Sequence, residues 1–201
     1  VDLAEWVTGT YFDASTQKMV CAQFESESCV QLHEFLRPDR VAAFRAALGA
    51  AEWKPVGPYQ MRRFDVVSQS AELQRVLDVF QSAPMADLIA KLTGLENREC
   101  SALMRRFTAG CYSLMHDLSE EEKASRKNEV DAVWTFVEDE DKWGDEEQPT
   151  GGDMVYAADG EPEPILVAPP QPNVLTIVYR SDPGHQSFVK FVNSAAPSPL
   201  I

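Results

Sequence analysis

Apolar residues recur at helical spacing through the first half of the chain and in short alternating runs through the second. From Ser15 to about Glu25, Met19 and Ala22 gather on one side, which predicts a short helix capped by Ser15. Pro38 supplies the fixed φ of a first turn, Val41, Phe44 and Leu48 follow on one stripe, and Gly49 ends that helix. Ala51 to Lys54 and Met61 to Val67 predict a pair of strands. Ser70 opens a third helix through Leu73, Val76, Leu77 and Phe80, and Pro84 a fourth through Leu88, Ile89 and Leu92 as far as Gly94. Stripes of this kind are packing faces, so these helices are expected to support a sheet.

From Glu99 the pattern changes to short β-rich runs separated by Gly, Pro and acidic clusters, the form of a β-sandwich or jelly roll. Strands are predicted over Ser101–Phe107, Tyr112–His116, Val130–Val137, Asp153–Ala157, Ile165–Ala168, Val174–Tyr179 and Phe188–Val192. The proline-rich stretch from Asp159 to Pro172 is expected to be connecting loop and edge strand. Two charged stretches, Glu120 to Lys127 and Glu138 to Glu147, are expected to be solvated loops. The second contains Trp143 with no obvious core position, which makes Trp143, Glu138, Asp139, Glu140 and Asp141 candidates for binding a protein partner. The expected fold is α+β and mainly β: one domain over 1–201, with a helical support part over about 1–98 and the main jelly-roll strands over about 99–193.

Composition narrows the function classes. A hydrophobic content of 44% over 201 residues is enough for a sizeable core. No apolar run approaches the roughly 20 residues that span a bilayer, and no membrane role is expected. The formal net charge of −14 opposes binding to a nucleic-acid backbone and favours a basic protein partner. Cys21, Cys29, Cys100 and Cys111 lack the Cys-x-x-Cys spacing of a zinc ribbon and suit a reducing compartment. The doublets Arg62-Arg63 and Arg105-Arg106 lie in predicted strands, where neighbours point to opposite faces and are expected to pair with surrounding acids. No Gly-rich phosphate loop and no Gly-x-Ser-x-Gly elbow occurs.

Six segments stand in an order that is more specific than any one of them. They are Trp6 to Asp13, Leu32 to Leu36, Arg105 to Asp117, Gly151 to Tyr156, Pro172 to Arg180, and Ser187 to Val192. In this order the chain resembles the C-terminal domain of the Ofd1/Tpa1-type prolyl hydroxylases, whose chains carry two related double-stranded β-helix domains, the first catalytic and the second not. The resemblance implies a jelly roll here, and Fe(II) and 2-oxoglutarate in the first domain of the parent, with none in this one. For the parent it implies hydroxylation of a prolyl residue in a small-subunit ribosomal protein, links to translation and oxygen response, and a place in the cytoplasm or nucleus. The catalytic N-terminal domain and a basic or ribosomal protein are the partners it implies. Two departures are visible: the chain starts at Val1, and it stops at Ile201 without the Arg-Trp-Asp-like segment usual near the end of that domain.

Active members of this dioxygenase superfamily hold iron with two histidines and one carboxylate on one face. The first pair comes as His-x-Asp, whose members share a side of a strand. Here His116 is followed at once by Asp117, and Leu118 takes the carboxylate position. The distal histidine position, in Ser187-Phe188-Val189, is Val189. No basic residue follows Lys190 to hold the 2-oxoglutarate carboxylate. His116, Leu118 and Val189 therefore mark a degenerate site, and this chain is expected to be a non-catalytic interaction or regulatory domain. The alternative is an active dioxygenase with an atypical set of His116, Asp117 and His185, although Asp182-Pro183-Gly184 predicts a turn just before His185. His33 is expected to be a packed or half-exposed histidine.

Overall fold

A seam of main-chain hydrogen bonds near Ile201 joins two antiparallel sheets of the protein. In the computed structural model, residues 1–96, 100–115, 119–125, 128–138, 143, 149–158 and 160–201 are described. The first sheet has the order β1-β9-β6, with β1 Cys29–Leu32, β9 Val174–Arg180 and β6 Glu129–Thr135. The second runs β2-β3-β4, with β2 Glu52–Val56, β3 Arg62–Gln69 and β4 Arg105–Arg106. Leu200 exchanges amide and carbonyl bonds with Phe107 just past β4, and Ile201 does the same with Phe136 just past β6. The facing layer has β10 Gln186–Val189, β7 Met154–Ala157 and β8 Leu166–Ala168 in the order β10-β7-β8, and β5 Tyr112–Ser113 pairs with β3.

The helices follow the predicted stripes, with caps that explain their ends. α1 Ala14–Glu27 is capped by Asp13 rather than Ser15: the Asp13 carboxylate accepts the amides of Ser15 and Thr16 at 3.1 and 3.2 Å, which an ionised acceptor does better than a hydroxyl. α2 Pro38–Leu48 has its proline in the first turn, α3 Ala71–Phe80 is capped by Ser70, and α4 Ala83–Thr93 is capped by Ser82 and closed by Gly94 at φ +73°. α5 Glu120–Ser125 replaces the loop expected there, because Ser119 and Glu122 accept each other's backbone amides as a capping box.

Two-residue alternation gives the β1-β9-β6 sheet two different faces. Val30, Leu32, Leu175 and Ile177 point outward into the main core beneath α1 and α4, packed with Val20, Phe24, Met85, Leu88 and Leu92. Thr176, Val178 and Arg180 belong to the opposite set, as do Glu129, Asp131 and Val133. Val178 packs there against Met154, Tyr156 and Ala168 of the facing layer. β1 was not foreseen; its four residues are the edge partner of β9, and they draw the helical half of the chain into the sheet.

Several strands are shorter than predicted. Only Arg105–Arg106 of the run Ser101–Phe107 is strand, and only Tyr112–Ser113 of the run from Tyr112. The last strand lies earlier, at Gln186–Val189, but Lys190 and Val192 stay bonded to Asp153 and Cys111. Gly151 and Gly152 take φ +74° and +80°, and a Cβ on Gly151 would fall 1.9 Å from the carbonyl oxygen of Phe191, so this close approach requires glycine.

Asn173 ties these pieces together. Its Oδ1 accepts the Leu36 amide at 2.9 Å and the Trp134 indole N–H at 3.0 Å, and its Nδ2 donates to the Leu36 carbonyl at 2.8 Å. Its φ of +53° is one that asparagine tolerates better than most residues. Asn173→Ala is expected to destabilise the fold by roughly 3 kcal/mol, since partly buried partners lose their bonds and the backbone stays left-handed. Asn173→Gly should recover only the backbone part, as urea unfolding of the two variants would reveal.

Candidate functional site

The inner faces of the strands enclose a cleft of about 1290 Å³, bordered on one side by β6 and on the other by the segment Cys100–Arg105. Charged groups at alternate strand positions lie along it. Arg180 Nη2 donates to Asp131 Oδ1 at 3.0 Å and lies 2.5 Å from Glu129 Oε2. Its Nε is 2.9 Å from Asp131 Oδ2 but lacks the alignment of a hydrogen bond. Burial alone would favour the neutral form of Arg180; the charges of Asp131 and Glu129 outweigh it and strengthen the guanidinium's hold on its proton.

Tyr156 enters from β7 and is 1% exposed. Burial first, then the negative charge of Asp131, raises its phenol above the ordinary tyrosine range. The hydroxyl is close enough to Asp131 to sense it, yet no partner meets it with hydrogen-bond geometry, because that carboxylate is engaged by Arg180. Arg105 comes from β4. Its guanidinium lies 5.8 Å from the Phe64 ring centroid and 5.6 Å from that of Phe107. Desolvation lowers its pKa, with Tyr156 and Asp131 opposing the shift. Arg105 makes no hydrogen bond or ion pair among the described residues, which corrects the expectation that it would meet an acid. Its doublet partner Arg106 does, donating to Asp65 at 2.7 Å from the other face of the strand.

The residues singled out from the sequence are distributed differently. Val189 is 4% exposed and packs with Phe64, Phe107, Cys111 and Val192; its amide donates to Ser113 Oγ at 2.8 Å. A valine side chain has no lone pair, so the residues at this position do not fit an iron shell. Among the described residues no three His, Cys, Asp or Glu side chains converge on a metal position. His116, Asp117 and Leu118 lie outside the described residues, as do Asp139, Glu140 and Asp141. His185 sits in the turn between β9 and β10, its amide bonded to the Asp182 carbonyl, and His33 is exposed. Glu138 is exposed, with its amide donating to Ser198 Oγ at 3.4 Å.

Trp143 does have a core position, contrary to expectation. It is 5% exposed, packs with Val137, Val189, Val192 and Leu200, and donates its indole N–H to Ser198 Oγ at 3.1 Å. Its acidic neighbours in sequence concealed this. Tyr156, Arg105, Asp131, Glu129 and Arg180 were missed as a group, although charged residues at every second position of an apolar strand, as in Glu129-x-Asp131, are the signal of a polar inner face.

Residues 1–200 match the family described as "Oxoglutarate and iron-dependent oxygenase degradation C-term". The chain belongs to that family. It is 26% identical to prolyl 3-hydroxylase OGFOD1 of Mus musculus, a match covering 95% of this chain and 47% of the mouse protein, so the chain spans about half the length of that relative. Among solved structures it resembles a prolyl hydroxylase from Trichoplax adhaerens in complex with a hypoxia inducible factor oxygen degradation domain peptide fragment, with a TM-score of 0.62, 12% identity, and coverage of 93% of this chain and 87% of that one. It also resembles a 2OG-Fe(II) oxygenase family oxidoreductase from Burkholderia pseudomallei, with a TM-score of 0.59, 16% identity, and coverage of 92% and 88%. The fold is thus that of the 2-oxoglutarate oxygenases, a jelly roll with supporting helices, as the order of motifs implied.

Two outcomes test this description of the family's interior. Trp143→Ala is expected to cost about 3–5 kcal/mol in chemical unfolding, the loss typical of a buried ring. An exposed partner-binding tryptophan would cost almost nothing. Because the folded pKa of Tyr156 is raised, its contribution is complete below the unfolded value near pH 10 and is lost as pH rises through the folded value. Unfolding at pH 8 and pH 11 should therefore show a steeper alkaline loss for the native protein than for Tyr156→Phe, with the raised Tyr11 accounting for part of the remainder.

Proposed function

We propose that this chain is a non-catalytic interaction and regulatory domain of a 2-oxoglutarate- and Fe(II)-dependent prolyl hydroxylase that acts on a small-subunit ribosomal protein, with links to translation and oxygen response. Iron and 2-oxoglutarate belong, in this reading, to a separate catalytic N-terminal domain of the parent. That domain and a basic or ribosomal protein are its partners, in the cytoplasm or nucleus. The observation that carries the proposal is the use of Val189: at the position where family likeness calls for a histidine ligand, the chain has a buried valine integrated with the core of the facing layer. Leu118 in the place of the carboxylate ligand agrees with it. The net charge of −14 supports a basic partner, since complementary charge accelerates encounter even without a large contact area.

Anaerobic calorimetry with Fe(II) or Mn(II), alongside an assay for 2-oxoglutarate turnover, tests the loss of chemistry. The expected result is no stoichiometric metal binding and no turnover, with His116→Ala indistinguishable from the native chain. Micromolar binding of one metal ion that disappears in His116→Ala would overturn the proposal in favour of an enzyme using His116, Asp117 and His185.

A further inference from the structure

We draw no further inference here: the strongest candidate, the surface patch where Arg63 of β3 and Tyr112 of β5 adjoin the exposed rings of Tyr59 and Phe191, carries nothing, because nothing in the structure shows what covers it.

Discussion

Everything in this fold depends on β9 having to satisfy two environments at once. It is the middle strand of its sheet, with β1 on one edge and β6 on the other, and alternation along it is obligatory. Leu175 and Ile177, both 0% exposed, seal the helices to the sheet. Thr176 and Arg180, between and beyond them, turn inward, where Thr176 receives a bond from Gln31 at 3.3 Å and Arg180 binds two carboxylates of β6. A one-residue slip would bury Arg180 among leucines and send Ile177 into the cleft, so the apolar outer face fixes the register of the polar inner one.

That coupling explains why polar residues persist in an interior that has no evident iron ligands at its described positions. A half-buried guanidinium between Asp131 and Glu129 is costly to desolvate, and removing Arg180 would leave two carboxylates facing each other without their cation. Once the sheet holds such a cluster, stepwise substitution toward an apolar core passes through unpaired intermediates. Val189 faces the other core, where an apolar side chain packs with Phe107 and Val192 and no charge has to be balanced. The two sides of the jelly roll thus differ in polarity, one holding a charged cluster and the other an apolar core.

The same distinction sets what was legible in the sequence. Helices were readable because their ends are local events: Pro38, Ser70 and Gly94 each act within one turn. The jelly roll was readable only through the order of six segments, since no single strand of two to eight residues carries enough pattern. Strand limits were overestimated wherever neighbouring backbone rather than side-chain alternation decides them, as at Ser101–Phe107, where Leu200 meets Phe107 from the far end of the chain. Trp143 and Arg105 failed for a related reason. Their surroundings come from Ser198 and Leu200 in one case and from Phe64 and Tyr156 in the other, all distant in sequence, so a tryptophan among acids showed no core position and both arginines of the doublet were expected to meet acids.

Arg105 marks where the charge inside the molecule is balanced by rings rather than by an acid among the described residues. If the guanidinium were serving only the native fold, the efficient arrangement would be a direct bond to Asp131, yet Asp131 is turned to Arg180 on the neighbouring strand and Arg105 rests on the Phe64 and Phe107 rings instead. Cation–π contacts of this length compensate only part of the desolvation of a half-buried guanidinium.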